Sequence, residues 1–132
     1  MRVDVANYRD RVLHRIGRRT AAAVRTAQLE GWVRPEGLRP VISEDLADAL
    51  GLATLFTEIE RCEEGCVVRR QVVGDLWLRL CGREGVFKAV VEPGRGDVLI
   101  GAIVLEDLDL LADPRARTCH PRDAAMTLYE IE

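Results

Sequence analysis

The sequence predicts a mostly β domain that contains a few short helices. From residue 54 onward, apolar and polar residues alternate in short runs that are typical of strands, as where Leu78 and Leu80 flank Arg79. Turn-forming residues separate these runs, at positions 63–65, 74–75, 82–85 and 92–96. A third observation is the apolar run 98–100, which is typical of a buried strand and ends at Gly101.

The N-terminal segment predicts a helix over residues 8–28. Apolar residues such as Val12, Ile16 and Ala23 recur there at helical spacing, with arginines on the other faces. Residues 2–6 stay open between two interpretations. They fit the start of this helix, and they also fit a strand because apolar and polar positions alternate in them. We therefore divide the chain into a basic helical arm, residues 1–30, and a β domain, residues 31–132.

The charge of the chain is unevenly distributed. Residues 1–40 hold nine arginines against four acids, a balance of +5, whereas the whole chain carries −3, so the remainder carries −8. Such asymmetry is consistent with a nucleic-acid surface or with a basic segment that docks on the acidic remainder of the same subunit or its mate. We favour the second interpretation and expect no nucleic acid as partner, because acids interrupt the arginines and a nucleic-acid stripe would be denser.

The middle of the chain predicts a short helix followed by strands. Residues 31–42 are rich in Gly and Pro and predict a loop. Ser43 is a favourable N-cap and Gly51 a favourable C-cap, so a helix is predicted between them. The predicted strands that follow are 54–62, 66–73, 76–80, 86–91, 98–100 and 118–120, with an edge or intersubunit strand at 125–132.

The segment 98–114 combines a strand, a glycine and a helix. After the glycine at position 101, Leu105, Leu108 and Leu111 follow at helical spacing, and the Asp113-Pro114 pair predicts the end of that helix. This unit, together with the helix, hairpin and strands before it, resembles the retropepsin-like aspartic proteases over residues 33–121. The resemblance implies a closed β-barrel, the acid-protease fold, with short internal and C-terminal helices. It also implies a homodimer or a hetero-assembly with another protein.

The catalytic signature of that family, Asp-Thr-Gly-Ala, is absent. Counting back without a gap from residues 41–43, Arg34 takes the place of the catalytic Asp, Pro35 of the Thr, Glu36 of the Gly and Gly37 of the Ala. Aspartic proteolysis requires two carboxylates that share one proton about 3 Å apart. An arginine does not lose its proton near neutral pH, so we expect no peptide hydrolysis.

The resemblance then predicts an inactive binding or assembly subunit. A groove beneath the hairpin flap would accept an extended peptide by strand addition. The binding residues it implies are Arg34, Gly37, Glu63, Glu64, Gly65 and Gly101. Two alternatives stay open: an active peptidase with relocated carboxylates, for which Glu36 is the first candidate, and nucleic-acid binding through the Arg-rich arm.

The four cysteines do not form a recognisable metal motif. Cys62 and Cys66 flank the predicted hairpin tip, whereas Cys119 and His120 lie together far downstream. Zinc binding by these four residues and a disulfide or redox pair between Cys62 and Cys66 are both alternatives. We favour isolated small apolar side chains, and we predict no metal and no cofactor.

No apolar run approaches the roughly 20 residues that a membrane-spanning helix requires. Charged residues also occupy the N-terminus, where an export signal would need an apolar core. We therefore expect no membrane partner and a cytoplasmic location.

Overall fold

A computed structural model describes residues 1–122 of the 132-residue chain. The strand predicted at 125–132 lies outside the described residues. The described part contains nine strands, three α-helices and one 3-10 helix (Ala21–Ala23). The strands and α-helices are β1 (Arg2–Asn7), α1 (Tyr8–Arg15), β2 (Thr26–Val33), β3 (Val41–Ser43), α2 (Glu44–Leu50), β4 (Thr54–Arg61), β5 (Val67–Leu80), β6 (Arg83–Glu92), β7 (Val98–Ile100), α3 (Ala102–Asp107), β8 (Leu110–Asp113) and β9 (Thr118–Pro121).

Six of the strands form a closed barrel. Their order is β1-β2-β7-β3-β6-β5, and β5 pairs with β1 to close the ring. The remaining strand of this sheet, β4, pairs only with β5 in the described chain and extends the sheet as a hairpin arm. Strands β8 and β9 form a separate two-stranded ribbon. The prediction of a mostly β chain with a closed barrel and short helices is confirmed.

Alternation along the strands explains the barrel core. Val3 and Val5 on β1 are fully buried, as are Leu76 and Leu78 on β5, because every second residue of a strand points to the same face. Trp77 points the other way, yet it is only 7% exposed. The guanidinium of an α1 residue covers it: the Arg11 Cζ lies 3.9 Å from the centre of the indole ring.

The predicted helical arm is wrong for most of its length. Helix α1 contains only eight residues and is followed by Gly17, which has a φ of 78°. Strands β1 and β2 flank α1 and pair with each other, so residues 1–30 supply two barrel strands and not a separate arm. The period-two pattern of residues 2–6 proved decisive because both valines in it reach the barrel core.

Two further elements differ from the prediction. The turn expected at 74–75 is an irregularity inside the continuous strand β5, where the pairing register shifts between Val73 and Leu76. The helix expected to continue to Leu111 ends at Asp107, because Asp109 adopts a left-handed φ of 53° and the chain then enters β8. Helix α2, in contrast, has its predicted caps: Ser43 Oγ accepts from Leu46 N at 2.9 Å, and Gly51 has a φ of 66°.

A buried carboxylate holds the N-terminal corner of the barrel together. Asp10 is 1% exposed and accepts hydrogen bonds from the Arg25 side chain at 2.8 and 3.0 Å and from the Arg25 backbone N–H at 3.1 Å. Arg19 also pairs with it. The hydrogen bonds from Arg25 lower the pKa of Asp10 from 3.8 to about 2, against the opposing effect of burial. The basic segment is thus neutralised in part by an acid of its own.

Asn7 connects this corner to α2. Its side-chain oxygen caps α1 by accepting from the Asp10 N–H at 3.0 Å, and its Nδ2 donates to the Leu50 carbonyl at 2.8 Å. These bonds link the β1–α1 corner to the C-terminal end of α2.

No helix among residues 1–122 has both the length and the apolar character to cross a bilayer.

We predict that Asp10→Asn lowers the free energy of unfolding by on the order of 2 kcal/mol. The buried side chain would lose its ion pairs with Arg19 and Arg25, and the loss is limited because both arginines are partly exposed to solvent. Because the folded-state pKa of Asp10 is depressed, its contribution is present above about pH 4 and is lost as the pH falls towards 2. Urea denaturation measured at several pH values between 2 and 7 tests both points. The exposed Asp48→Asn is the matched control and should change little; an equal loss in both variants would contradict the prediction.

Candidate functional site

The site lies where the chain leaves β2. Val33 pairs with Ile100 in the parallel β2–β7 ladder, and the Arg34 N–H then donates to the Ile100 carbonyl at 2.9 Å. Residues 34–40 form a loop that leads to β3. The loop and the turn after β7 are joined by two more backbone bonds: Ala102 N–H to the Gly37 carbonyl at 2.8 Å and Ile103 N–H to the Leu38 carbonyl at 3.0 Å. The structure therefore places 33–37 directly against the bend at residues 100–101.

Gly101 is required at this bend by close approach and not by a left-handed φ. A Cβ atom on it would lie 2.5 Å from both the Leu38 and the Arg39 carbonyl oxygens. Both oxygens are backbone atoms, and the Leu38 carbonyl is also held by the Ile103 N–H, so they cannot rotate away as a side chain would. Gly37, by comparison, has its nearest neighbours at 3.5 Å, in ordinary contact.

Arg34 is the first residue of the loop. Its side chain is 36% exposed, and its Nε lies 3.5 Å from Glu36 Oε1. This pair is the nearest charged contact of either residue in the described chain. Glu36, which was the candidate for a relocated catalytic acid, thus faces a guanidinium.

A groove of about 280 Å³ separates this loop from the β4–β5 hairpin. Between the loop and the hairpin, β3 and β6 contribute Val41, Val90 and Glu92 to its lining. The loop contributes Arg34, Glu36, Gly37, Leu38 and Arg39 to the walls, and the hairpin contributes Glu58, Ile59, Glu60 and Arg70.

The carboxylates of this groove are paired with arginines. Arg39 Nε lies 2.9 Å from Glu58 Oε1, which connects the loop to the hairpin across the groove. On the hairpin itself, Arg70 Nε lies 3.4 Å from Glu60 Oε2. The groove therefore offers paired charges and hydrogen-bonding groups to a ligand.

The structure separates the predicted binding residues into three groups. Arg34 and Gly37 line the groove, whereas Gly101 does not line it and lies against the Leu38 and Arg39 carbonyls of the loop. The tip residues Glu63 and Glu64 are exposed at the far end of the hairpin, with Gly65 between them and Cys66, and the groove wall is built from residues 58–60 instead.

Sequence reasoning missed the hairpin wall. Glu58 and Glu60 alternate along β4, so both point to the same face of the strand, and this spacing was the available signal. Their arginine partners come from a loop and from the neighbouring strand, and no local pattern in the sequence connects them.

The cysteines occupy two separate regions. Cys62 and Cys66 form a disulfide that closes the hairpin tip, so the interpretation of these two as isolated side chains is wrong. Cys119 is buried in β9 and lies beside Cys81, whereas His120 is exposed. Within residues 1–122, no three His, Cys, Asp or Glu side chains are grouped so as to hold a metal ion, and the four zinc candidates are not brought together.

Comparison with known proteins adds no assignment to this geometry. No protein-family model matches the chain, and no curated protein matches it in sequence. The function must therefore be argued from the groove.

We predict that Gly101→Ala lowers the free energy of unfolding by about 1–3 kcal/mol, because the new methyl group must displace fixed carbonyl oxygens. Chemical denaturation measures the loss, and amide spectra should show the largest shifts in residues 34–39. Gly96→Ala is the matched control: its Cβ would meet nothing within 4 Å, so it should be neutral or slightly stabilising. A neutral Gly101→Ala would contradict the close packing of loop and bend.

Proposed function

We propose that this chain is a catalytically inactive relative of the retropepsin-like aspartic proteases that binds an extended peptide or protein segment. The observation that carries the proposal is the groove between the 34–39 loop and the β4–β5 hairpin, which Arg34 lines. The resemblance implies that a catalytic acid would be needed at this position. The strand–loop–strand arrangement around Gly101 supports the relationship, because the loop and the glycine bend meet as the resemblance requires.

The charges of the groove favour binding over catalysis. Activation of water by an acid pair needs one carboxylate to hold a proton while its neighbour is ionised. Glu36, Glu58 and Glu60 each face an arginine instead. These pairs are half-exposed and hence weak, so a ligand with its own charges can replace one partner at small cost.

An extended peptide fits this groove by its backbone as well as by its side chains. Strand β4 is the outermost strand of the described sheet, so one of its edges carries backbone groups that no neighbouring strand uses. A peptide added there would continue the sheet, and its alternate side chains would meet the charged wall. We infer a ligand that carries both acidic and basic residues.

Exposed apolar residues at the rim support a protein partner, and we propose a homodimer. Leu38, Ile59 and Val67 are 61%, 66% and 58% exposed and lie on the loop and the hairpin. A twofold arrangement that brought two Arg34 side chains within about 4 Å would cost on the order of 4 kcal/mol at a surface-like dielectric. Glu36 is placed to offset that repulsion because it already pairs with Arg34.

Selection from a displayed random-peptide library tests the binding proposal. We expect extended binders, and we expect Arg70→Gln to weaken them roughly five- to tenfold, as for the loss of one charge-assisted hydrogen bond. Arg79→Gln, on the exposed part of the same strand away from the groove, is the matched control and should leave the affinity unchanged. Binders equally affected by both variants, or an empty selection, would count against the groove.

The same peptides test for catalysis. We expect no cleavage between pH 3 and 7. Peptide cleavage whose rate depends on pH in the acidic range, and which Glu36→Gln abolishes, would contradict the proposal and indicate an active peptidase. Sedimentation tests the dimer, and a species of 14.7 kDa at all concentrations would remove the dimer while leaving peptide binding intact.

A further inference from the structure

A second pair of cysteines lies outside the groove, where the barrel meets the β8–β9 ribbon. Cys81 belongs to the turn between β5 and β6 and has a φ of 54°, and Cys119 belongs to β9. The Cys81 Sγ donates to the Cys119 carbonyl oxygen at 3.4 Å, which brings the two residues into direct contact. The two residues are 38 positions apart in sequence, so their meeting is a product of the fold.

The two thiols differ in their access to solvent. Cys81 is exposed, whereas Cys119 is buried, 8% exposed, with its Sγ 3.7 Å from Met1 Sδ. Burial raises the pKa of Cys119 to about 12, and the neighbouring Cys81 adds to the effect. One thiol can therefore meet a reagent from solution, and the other is held behind it as a thiol and not as a thiolate.

We propose that Cys81 and Cys119 are a second disulfide site, which a small-molecule disulfide such as oxidised glutathione converts from two thiols to a bond between the turn and the ribbon. This proposal is independent of the proposed function, because neither cysteine lines the groove.

The exchange takes place in two steps. The Cys81 thiolate attacks one sulfur of oxidised glutathione, which forms a mixed disulfide on Cys81 and releases one glutathione thiolate. Cys119 then loses its proton to solvent and attacks the Cys81 sulfur, which releases the second glutathione thiolate. The two thiolates take up the two protons lost by the cysteines. The protein is oxidised by two electrons, and oxidised glutathione is reduced to two molecules of glutathione.

The bond would change how the ribbon is attached to the barrel. At present polar contacts hold the start of β6 against the segment that leads into the ribbon: Arg83 Nη1 donates to the Leu108 and Asp109 carbonyls at 2.8 and 2.6 Å. The ribbon also holds the start of the 34–39 loop, since the Val33 N–H donates to the Arg117 carbonyl at 2.7 Å. A disulfide between residues 38 positions apart stabilises the folded chain, because it restricts the unfolded chain.

The experiment uses the full chain with Cys62→Ser and Cys66→Ser, so that only the second pair remains. Incubation with oxidised glutathione should reduce the free thiols from two to none, lower the intact mass by two hydrogens, and give a Cys81–Cys119 peptide on digestion. We expect the melting temperature to rise by about 5 °C or more and to return on reduction. Retention of both thiols, or a disulfide between two chains in place of one within the chain, would overturn the proposal.

Two single variants in that background test the order of the steps. Cys119→Ala should keep one glutathione on Cys81, and Cys81→Ser should take up none, because its remaining thiol is buried. Adducts on Cys119 in the second variant would contradict the assignment of roles. Starting from the mixed disulfide on Cys81, closure should become about a hundredfold faster between pH 7 and pH 9, since the thiolate fraction of Cys119 grows tenfold per pH unit below its raised pKa. A rate that does not depend on pH would overturn the proposed attack by Cys119.

Discussion

The approach of two backbones at Gly101 is the constraint on which the candidate site depends. The carbonyl oxygens of Leu38 and Arg39 occupy the space that a side chain at this position would need. Three hydrogen bonds, from Arg34, Ala102 and Ile103, fix the loop against the bend after β7. Because the loop is held by its own backbone, its side chains are free to vary in chemistry without loss of the fold. The fold therefore places little restriction on which side chain occupies position 34.

The charged side chains of the loop and of the hairpin pair with one another. Arg39 joins the loop to the hairpin through Glu58, and its guanidinium also lies 5.4 Å from the Phe56 ring centre. The result is a groove whose two walls are connected by an ion pair and whose other ion pairs reach solvent. Such a surface can exchange internal pairs for pairs with a ligand.

The parts of the fold that could be predicted are those with local causes. Helix α2 is defined by Ser43 and Gly51, and the break at Gly101 follows from a glycine after a buried run. The N-terminal segment misled because helical and strand periods overlap there, and the choice between them is made by pairing of β1 with β5, more than 60 residues away. The hairpin wall of the groove and the pairing of Cys81 with Cys119 depend on such distant contacts as well. For this reason, the loop of the site could be found from the sequence, and its opposite wall could not.

The basic N-terminal segment now has a structural explanation. Arg19 and Arg25 neutralise the buried Asp10, and Arg11 covers Trp77 with its guanidinium plane. A phosphate-binding surface needs arginines whose charge is directed to solvent and not offset by neighbouring acids. Three of the arginines that gave the segment its positive balance are instead used to close the barrel at the β1–α1 corner. The charge asymmetry therefore favours an origin in folding, with the basic residues placed to hold β1 and β2 in the barrel on which the groove is built.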